Sequence, residues 1–370
     1  MKHWLLSFVI VLTFYPFNSI FGFEKDLSIL TNPCIATQDT ISINDTLVIK
    51  KKKPWFERLA QMIDFNNPDP RYISSNLYNF TFMVNTTGSY EHYRMSSFKG
   101  DKQSISFAPS PSWKLGAYFG WRWIFVGWSV DVNDLFGGKH KRKKNEFNLS
   151  LYSAKVGIDL YFLKSQNNVK IRDISGFANA DKYKGYNFDG LQSEMKGVNL
   201  YYIFNNRHFS YPAAYSQSTN QRKSAGSFLA GLSYSNHKLF FDTKLLPDWI
   251  DSQLQESMRF HKIHYTDYSI NFGYGYNWVF AKNYLANLSI TPALGYKESN
   301  IYSEQTASMK DYHTINCDII TRAALVYNNT KYYIGASLLV QTYNFHKKPF
   351  WLSNTYGILQ FYVGFNFNKK

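Results

Sequence analysis

The sequence predicts an all-β fold: a transmembrane antiparallel β-barrel of about 14 strands, with about 12 as the alternative count. A short N-terminal periplasmic segment carrying one helix precedes it. Three observations lead there. Aromatic residues make up 19% of the 370 residues, with 29 Tyr and 31 Phe, yet the mean hydropathy is -0.35. That combination excludes a bundle of apolar membrane helices, and no run of 18 apolar residues occurs beyond the N-terminus. Second, long stretches alternate apolar and polar residues with period two, as strands do. Third, short and long connections take turns along the chain, as in outer-membrane barrels, where tight turns lie in the periplasm and long loops outside.

Residues 1–22 have the form of a secretory signal: Lys2 and His3, an apolar run from Trp4 to Tyr15, then a cleavage region from Asn18 to Gly22 that fits an A-x-A site only loosely. A retained anchor is the competing reading, and the run is short for a span. Residues 23–75 form the periplasmic segment. Within it Pro54 opens PWFERLAQMIDF, where Trp55, Leu59, Met62 and Ile63 share one face, so an amphipathic helix is expected near 54–65. Such a helix either packs across a barrel mouth or meets a partner. Cys34 and Cys317 either pair after export or stay unrelated thiols. The formal net charge of +15 suggests anionic partners. Export argues against nucleic acid, leaving lipopolysaccharide phosphates, acidic glycans or anionic solutes.

From 76 to 370 the chain reads as the barrel. Strands are expected near 76–85, 103–121, 123–132, 146–162, 169–174, 197–204 and 208–215. They continue near 225–235, 238–243, 267–280, 283–296, 314–327, 331–343 and 356–367. In WKLGAYFGWRWIFVGWSVDV, residues 113–132, the apolar set is odd from Trp113 to Trp121 and even from Ile124 to Val132. A tight turn near Arg122 explains the flip, and both apolar sides face lipid with Trp at the interface. YSINFGYGYNW puts Tyr268, Ile270, Phe272, Tyr274, Tyr276 and Trp278 on one side; YLANLSITPALGY and the tail from Leu359 to Phe367 repeat the pattern. Short turns fall near Arg122 and at 165–168, 205–207, 235–237, 281–282 and 328–330. Long loops fall at 86–102, 133–145, 175–196, 216–224, 244–266, 297–313 and 344–355. Two places are irregular. Pro109 and Pro111 interrupt the donors of 103–121, and the apolar parity changes within 146–162, which a β-bulge near Ser153 would explain.

The stretch SFAPSPSWKLGAYFGWRWIFVGWSVDVNDLFGG, followed by YYIFNNRHFSYPAAYSQSTNQRKSAGSF, resembles a domain-of-unknown-function family of Gram-negative outer-membrane proteins. The resemblance spans most of the chain after about residue 54. It implies an outer-membrane location and fold. The family carries no established activity, so no site residue comes from it.

The candidate site residues are charges on the inward parities: Lys114, Asp131, Lys155, Asp159 and Arg322. Folding 103–132 about Arg122 places Lys114 nearly opposite Asp131, a cross-strand pair. Such charges tune selectivity in an open barrel and satisfy one another in a closed one. The basic run Lys139, His140, Lys141, Arg142, Lys143 and Lys144 is expected in an extracellular loop, either as a solvated tip or as a contact for lipopolysaccharide phosphates or an anionic ligand. Enzyme signals are thin. His208 and Ser210 lie near Ser216 and Ser218 without a third orienting group, and His261 and His264 lack a metal-site context. No metal, cofactor or catalytic residue is expected. The function expected is a non-enzymatic, porin-like pore or transport barrel for small or anionic solutes. An outer-membrane lipid- or glycan-modifying hydrolase and a structural or adhesive barrel acting through its outer loops are the alternatives.

Overall fold

The computed structural model describes residues 8–12, 68–98, 102–121, 124–132, 143–166, 169–302 and 309–369. Apart from Phe8–Leu12, the expected signal and the 54–65 helix lie outside these residues, as do Cys34, Arg122 and the stretch from Lys139 to Arg142. The chain opens with β1 (Phe8–Leu12), β2 (Ile73–Ser75), β3 (Tyr78–Ser97), β4 (Gln103–Pro109), β5 (Ser112–Trp121) and β6 (Ile124–Asp131). Then come β7 (Lys143–Tyr152), β8 (Val156–Gln166), β9 (Val169–Ser175), β10 (Asn187–Phe188), β11 (Leu191–Ile203), the short helix α1 (Tyr211–Tyr215), β12 (Thr219–Gln221) and β13 (Ala225–Phe241). Helix α2 (Asp248–Gln253) leads to β14 (Lys262–Ala281), β15 (Tyr284–Tyr302), β16 (Met309–Asn328), β17 (Tyr332–Lys347) and β18 (Phe350–Lys369).

One antiparallel sheet of 16 strands holds nearly everything. Its path runs β1-β6-β5-β3-β18-β17-β16-β15-β14-β13-β11-β8-β7, with β4, β9 and β10 branching off it. The expected count of about 14 lies between that path and the whole sheet. The last strand pairs with the first long one, from Phe350↔Ser97 to Lys369↔Tyr78, which joins the chain ends. β1 is hydrogen-bonded to β6 and lies against β7. Side chains from strands far apart on this path meet inside: Tyr161 of β8 and Tyr343 of β17 are 2.6 Å apart, and Asn148 of β7 donates to Tyr356 of β18 at 2.9 Å. Only a rolled sheet brings them together.

The outer face fixes the membrane belt. Tyr234, Tyr268 and Tyr296 stand side by side in register on β13, β14 and β15. Toward the short turns, Trp278, Tyr284, Tyr327 and Tyr332 form a second aromatic row, with Tyr284 opposite Tyr327. Between the rows the outward side chains are Leu232, Ile270, Phe272, Leu288, Ile290 and Leu294, all exposed. Tyr268 to Trp278 is the length of strand that crosses a bilayer, and aromatic rows at both interfaces are what lipid selects. β5 obeys the same rule: Trp113, Leu115 and Phe119 are exposed while Gly116, Tyr118 and Gly120 turn inward.

Five expectations are corrected by the backbone. The 146–162 stretch is a hairpin, β7 and β8, because Ser153 closes a turn: its N–H donates to Val156 O at 2.8 Å and its Oγ accepts from Val156 N at 2.9 Å. No bulge is needed. The 103–121 stretch splits at its prolines, and β4 branches off the path between β3 and β9, pairing with both, so 169–174 is a strand off the barrel path. The 208–215 stretch is α1, capped by Ser210 Oγ, which accepts from Ala213 N, with Pro212 in the first turn. The ladder runs through 235–237 without a turn, making 238–243 mostly the end of β13. Finally, several expected loops are strand: β3, β14, β15, β16 and β18 run 19 or 20 residues, roughly twice what a bilayer needs. Residues such as Arg94, Glu298 and His313 reach past the belt, where paired backbone needs no apolar side chain.

If the belt faces lipid, Ile270→Lys destabilises the barrel by about 2–4 kcal/mol in lipid vesicles. The same change at Thr266, beyond the Tyr268 row, costs less than about 1 kcal/mol. Denaturant titration of the two variants gives the comparison.

Candidate functional site

The inward parity is polar along most of the belt, and both ends of the lumen are filled. At the end away from the short turns, β4, β9, β10 and residues 242–261 fold over the opening. Met95, Ile105, Phe107, Ile171, Phe241, Ile250, Met258 and Phe345, each nearly inaccessible, pack there as one apolar cap. At the short-turn end the connection 204–224 turns back into the barrel. Its Phe209 and Tyr211 pack against Tyr152, Tyr201 and Leu229, and Ala213 and Ala214 against Tyr333 and Tyr362. The 216–224 stretch, expected in an outer loop, belongs to this inner plug because β11 and β13 meet at the short-turn end.

The plug is held mainly by amides. Asn277 Nδ2 donates to Ser210 O and to Gln221 Oε1, both at 2.9 Å. Tyr215 donates to Asn287 Oδ1 at 2.5 Å, and Gln217 Nε2 to Tyr362 OH at 2.6 Å. The plug is also tied to the N-terminal segment: β2 pairs with β12, Asp69 N donates to Arg207 O at 2.9 Å, and His208 Nε2 lies 3.6 Å from Asp69 Oδ2. Arg71 chelates the Asp69 carboxyl and holds its pKa well below the usual range.

Between cap and plug lie three ion pairs and the buried carboxyls Asp267 and Glu91. Level with the Tyr296 row, Lys297 Nζ donates to both Asp318 oxygens at 2.9 and 2.7 Å and to Asn344 O at 2.9 Å. Lys297 is 0% exposed. The Tyr265 and Tyr343 rings flank its ammonium, and His237 stacks on Tyr265 with ring centres 4.4 Å apart. Nearby, the buried Asp267 accepts from Ser269 Oγ at 2.5 Å. Deeper in the belt, Arg322 pairs with Asp159, which also accepts from Ser150 Oγ at 2.6 Å. On the wall formed by β5, β7 and β18, Glu146 accepts from Ser89 Oγ at 2.9 Å and Tyr356 OH at 2.7 Å, and lies 3.8 Å from Lys114 Nζ.

Of the five charges read from the sequence, three sit inside with partners: Lys114, Asp159 and Arg322. Asp131 ends β6 in register with Lys114, as expected. Lys155 does not line a wall; it occupies the β7–β8 turn, where its carbonyl accepts from Ile203 N at 2.7 Å. Sequence reasoning missed Glu91, Glu146, Asp267, Lys297 and Asp318. Lys143 and Lys144 open β7. Cys317 points outward from β16.

Two cavities flank α1. One of about 230 Å³ lies in the lumen, lined by Asn85, Thr87, Lys114, Tyr118, Glu146, Arg322 and Gln360, with Tyr215, Ser216 and Gln217 on the plug side. The other, about 600 Å³, opens at the short-turn end beside Ala213, Gln221, Arg222, Lys282, Asn328 and Thr330. The plug contributes wall to both.

A family model described as a domain of unknown function, DUF4421, matches residues 67–367. The chain belongs to that family. No curated protein sequence matches it. Among solved structures, the DUF4421 chain is similar to the outer-membrane protease OmpT of Escherichia coli, at 8% identity and a TM-score of 0.37, over 80% of this chain and 98% of that one. It is also similar to the translocator domain of the autotransporter NalP of Neisseria meningitidis, at 8% identity and a TM-score of 0.28, over 78% and 89%. The attachment invasion locus protein Ail of Yersinia pestis gives 8% identity and a TM-score of 0.24, over 76% and 97%. Scores this low carry nothing over to the DUF4421 chain.

The Lys297–Asp318 pair gives a direct test of the polar interior. Lys297→Met leaves the buried Asp318 carboxylate without its counter-charge, with only Asn344 N still donating to it, and costs about 3–5 kcal/mol, whereas Lys297→Met with Asp318→Leu recovers most of that loss. Urea titration of the folded barrel in detergent, with both variants, checks it.

Proposed function

We propose that this protein is exported to the outer membrane of a Gram-negative cell and there passes small solutes through a gated lumen, without catalysis. The observation behind this reading is the placement of α1 between two cavities, one in the lumen and one at the short-turn mouth. A barrel that served only as a scaffold has no need of a vestibule on one side of its plug and a chamber on the other. With short turns in the periplasm, the vestibule faces the periplasm and the apolar cap faces outward. The Lys139–Lys144 run then lies outside, within reach of lipopolysaccharide phosphates.

The interior speaks against an anionic cargo. Glu91, Glu146, Asp159, Asp267 and Asp318 face Lys114, Lys297 and Arg322, so acids predominate along the described walls. The hydrolase alternative finds no support at its candidate pair. Ser210 Oγ is engaged with Thr219 Oγ1 at 2.8 Å and with Ala213 N, and His208 Nδ1 with Asn205 Oδ1 at 2.9 Å. Among the described residues no hydrogen bond joins Ser210 to His208, so the serine has no base to activate it.

Planar-bilayer recordings decide the matter. The native protein is expected to insert without steady conductance. Replacing 209–217 of the plug and 242–261 of the cap together by glycine-serine linkers of equal length is expected to produce discrete steps. Silence from an inserted linker variant would sink the transport reading.

A further inference from the structure

We infer that the lumenal cavity beside α1 binds one neutral, hydroxyl-rich solute of monosaccharide size, an inference that rests on the transport reading for its physiological meaning. Charge comes first. Every charged group on the cavity wall already has a partner: Arg322 has Asp159, and Glu146 has Ser89, Tyr356 and Lys114. A charged solute would take one of these partners and strand the other inside the barrel, an unfavourable exchange. A neutral solute leaves the pairs intact.

Next come the groups with capacity to spare. Ser337, Gln360 and Thr87 line the cavity and make no side-chain hydrogen bond among the described residues. They also form a row. Ser337 of β17 is in register with Gln360 of β18, and Gln360 with Thr87 of β3. Adjacent strands lie about 4.8 Å apart, so the row offers hydroxyl, amide and hydroxyl in succession along one wall. An amide supplies two donors and an acceptor, and a hydroxyl supplies either, so the row matches a ligand that carries several hydroxyls.

Tyr118, Tyr333 and Tyr362 also line the cavity, Tyr333 and Tyr362 on the same strands as Ser337 and Gln360 and Tyr118 on β5 beside Thr87's strand. Aromatic lining suits the C–H side of a sugar ring, which is apolar while its edges are polar. Size agrees as well. At about 30 Å³ per water molecule, a cavity of about 230 Å³ holds roughly seven waters, the room a hexose takes.

Titration calorimetry of the detergent-folded full chain tests this with three probes of one size: D-glucose, the anion D-gluconate and the cation D-glucosamine. Glucose is expected to bind, and each charged probe at least about tenfold more weakly. Gln360→Leu is expected to weaken glucose about three- to tenfold, with Ser337→Ala as a second, smaller truncation acting in the same direction. Retained heat-modifiable mobility on gels marks both variants as folded. Equal binding of a charged probe, no binding of glucose, or glucose affinity unmoved in both folded variants would overturn the inference. Its failure is separable from that of the transport reading. Conductance through the linker variant without glucose binding removes the sugar site alone, and glucose binding with a silent linker variant removes transport alone.

Discussion

Lipid cannot hydrogen-bond, and that single constraint organises this molecule. Every backbone N–H and C=O in the belt must be paired, so the chain rolls into long antiparallel ladders whose first long strand meets the last. The apolar side chains then go outward, where Ile270, Leu294 and Ile315 are among the most exposed residues. The interior is left with the polar parity. Polar groups shut away from water are tolerable only when they satisfy one another, so the pairs Lys297–Asp318, Arg322–Asp159 and Lys114–Glu146 are the inward counterpart of the apolar belt.

The abundance of tyrosine has the same origin. A narrow barrel needs bulk inside, and Tyr fills space while carrying one polar atom to the network. Room for those rings comes from glycine on neighbouring strands. A Cβ on Gly127 would sit 2.0 Å from the Tyr118 ring, one on Gly157 2.2 Å from Tyr201, and one on Gly197 2.3 Å from the Tyr161 hydroxyl. Each ring lies flat across a strand that has no side chain in its way. What reads in sequence as aromatic excess beside scattered glycine is one packing device seen from two sides.

Period-two alternation made the barrel wall legible, most plainly in β14, β15 and β18, because a lipid-facing strand has to be apolar on one side. It also carried the missed charges. Asp318 shares the parity of Arg322 on β16, and Lys297 shares the inward parity of Asn287 and Ser289 on β15. Lys297 was lost because the strand seemed to stop at Tyr296, where the aromatic row ends the belt but not the ladder. The cap and plug were illegible for another reason. β4 and α1 are buried by tertiary packing, so their patterns carry neither a lipid face nor a water face, and β9, expected as a strand, buries Val169, Ile171 and Ile174 under the cap while Arg172 and Asp173 stay exposed. Whether 208–215 is strand or helix is decided by Ser210 and Pro212 acting on a segment only five residues long in its helical part.

The two closures of the lumen differ in kind, and the difference says which one moves. The outer cap is an apolar cluster continuous with extended strands, from Tyr93 and Met95 on β3 to Phe345 and Leu352 on β17 and β18. Opening it exposes apolar area at about 25 cal/mol per Å², with nothing in water to offset the loss. The inner plug is tied by Asn277, Asn287, Gln217 and Tyr362, and water can replace such bonds at a net of about 0.5–1.5 kcal/mol each. It faces a vestibule that supplies that water. It is also attached, through β2 and Asp69, to a segment lying before the barrel. A displacement of that segment acts on β12 directly, because the two are hydrogen-bonded strands, and α1 follows β12 through the Ser210–Thr219 contact. The plug therefore has both the weaker attachment and the handle, which makes it the first of the two closures to yield.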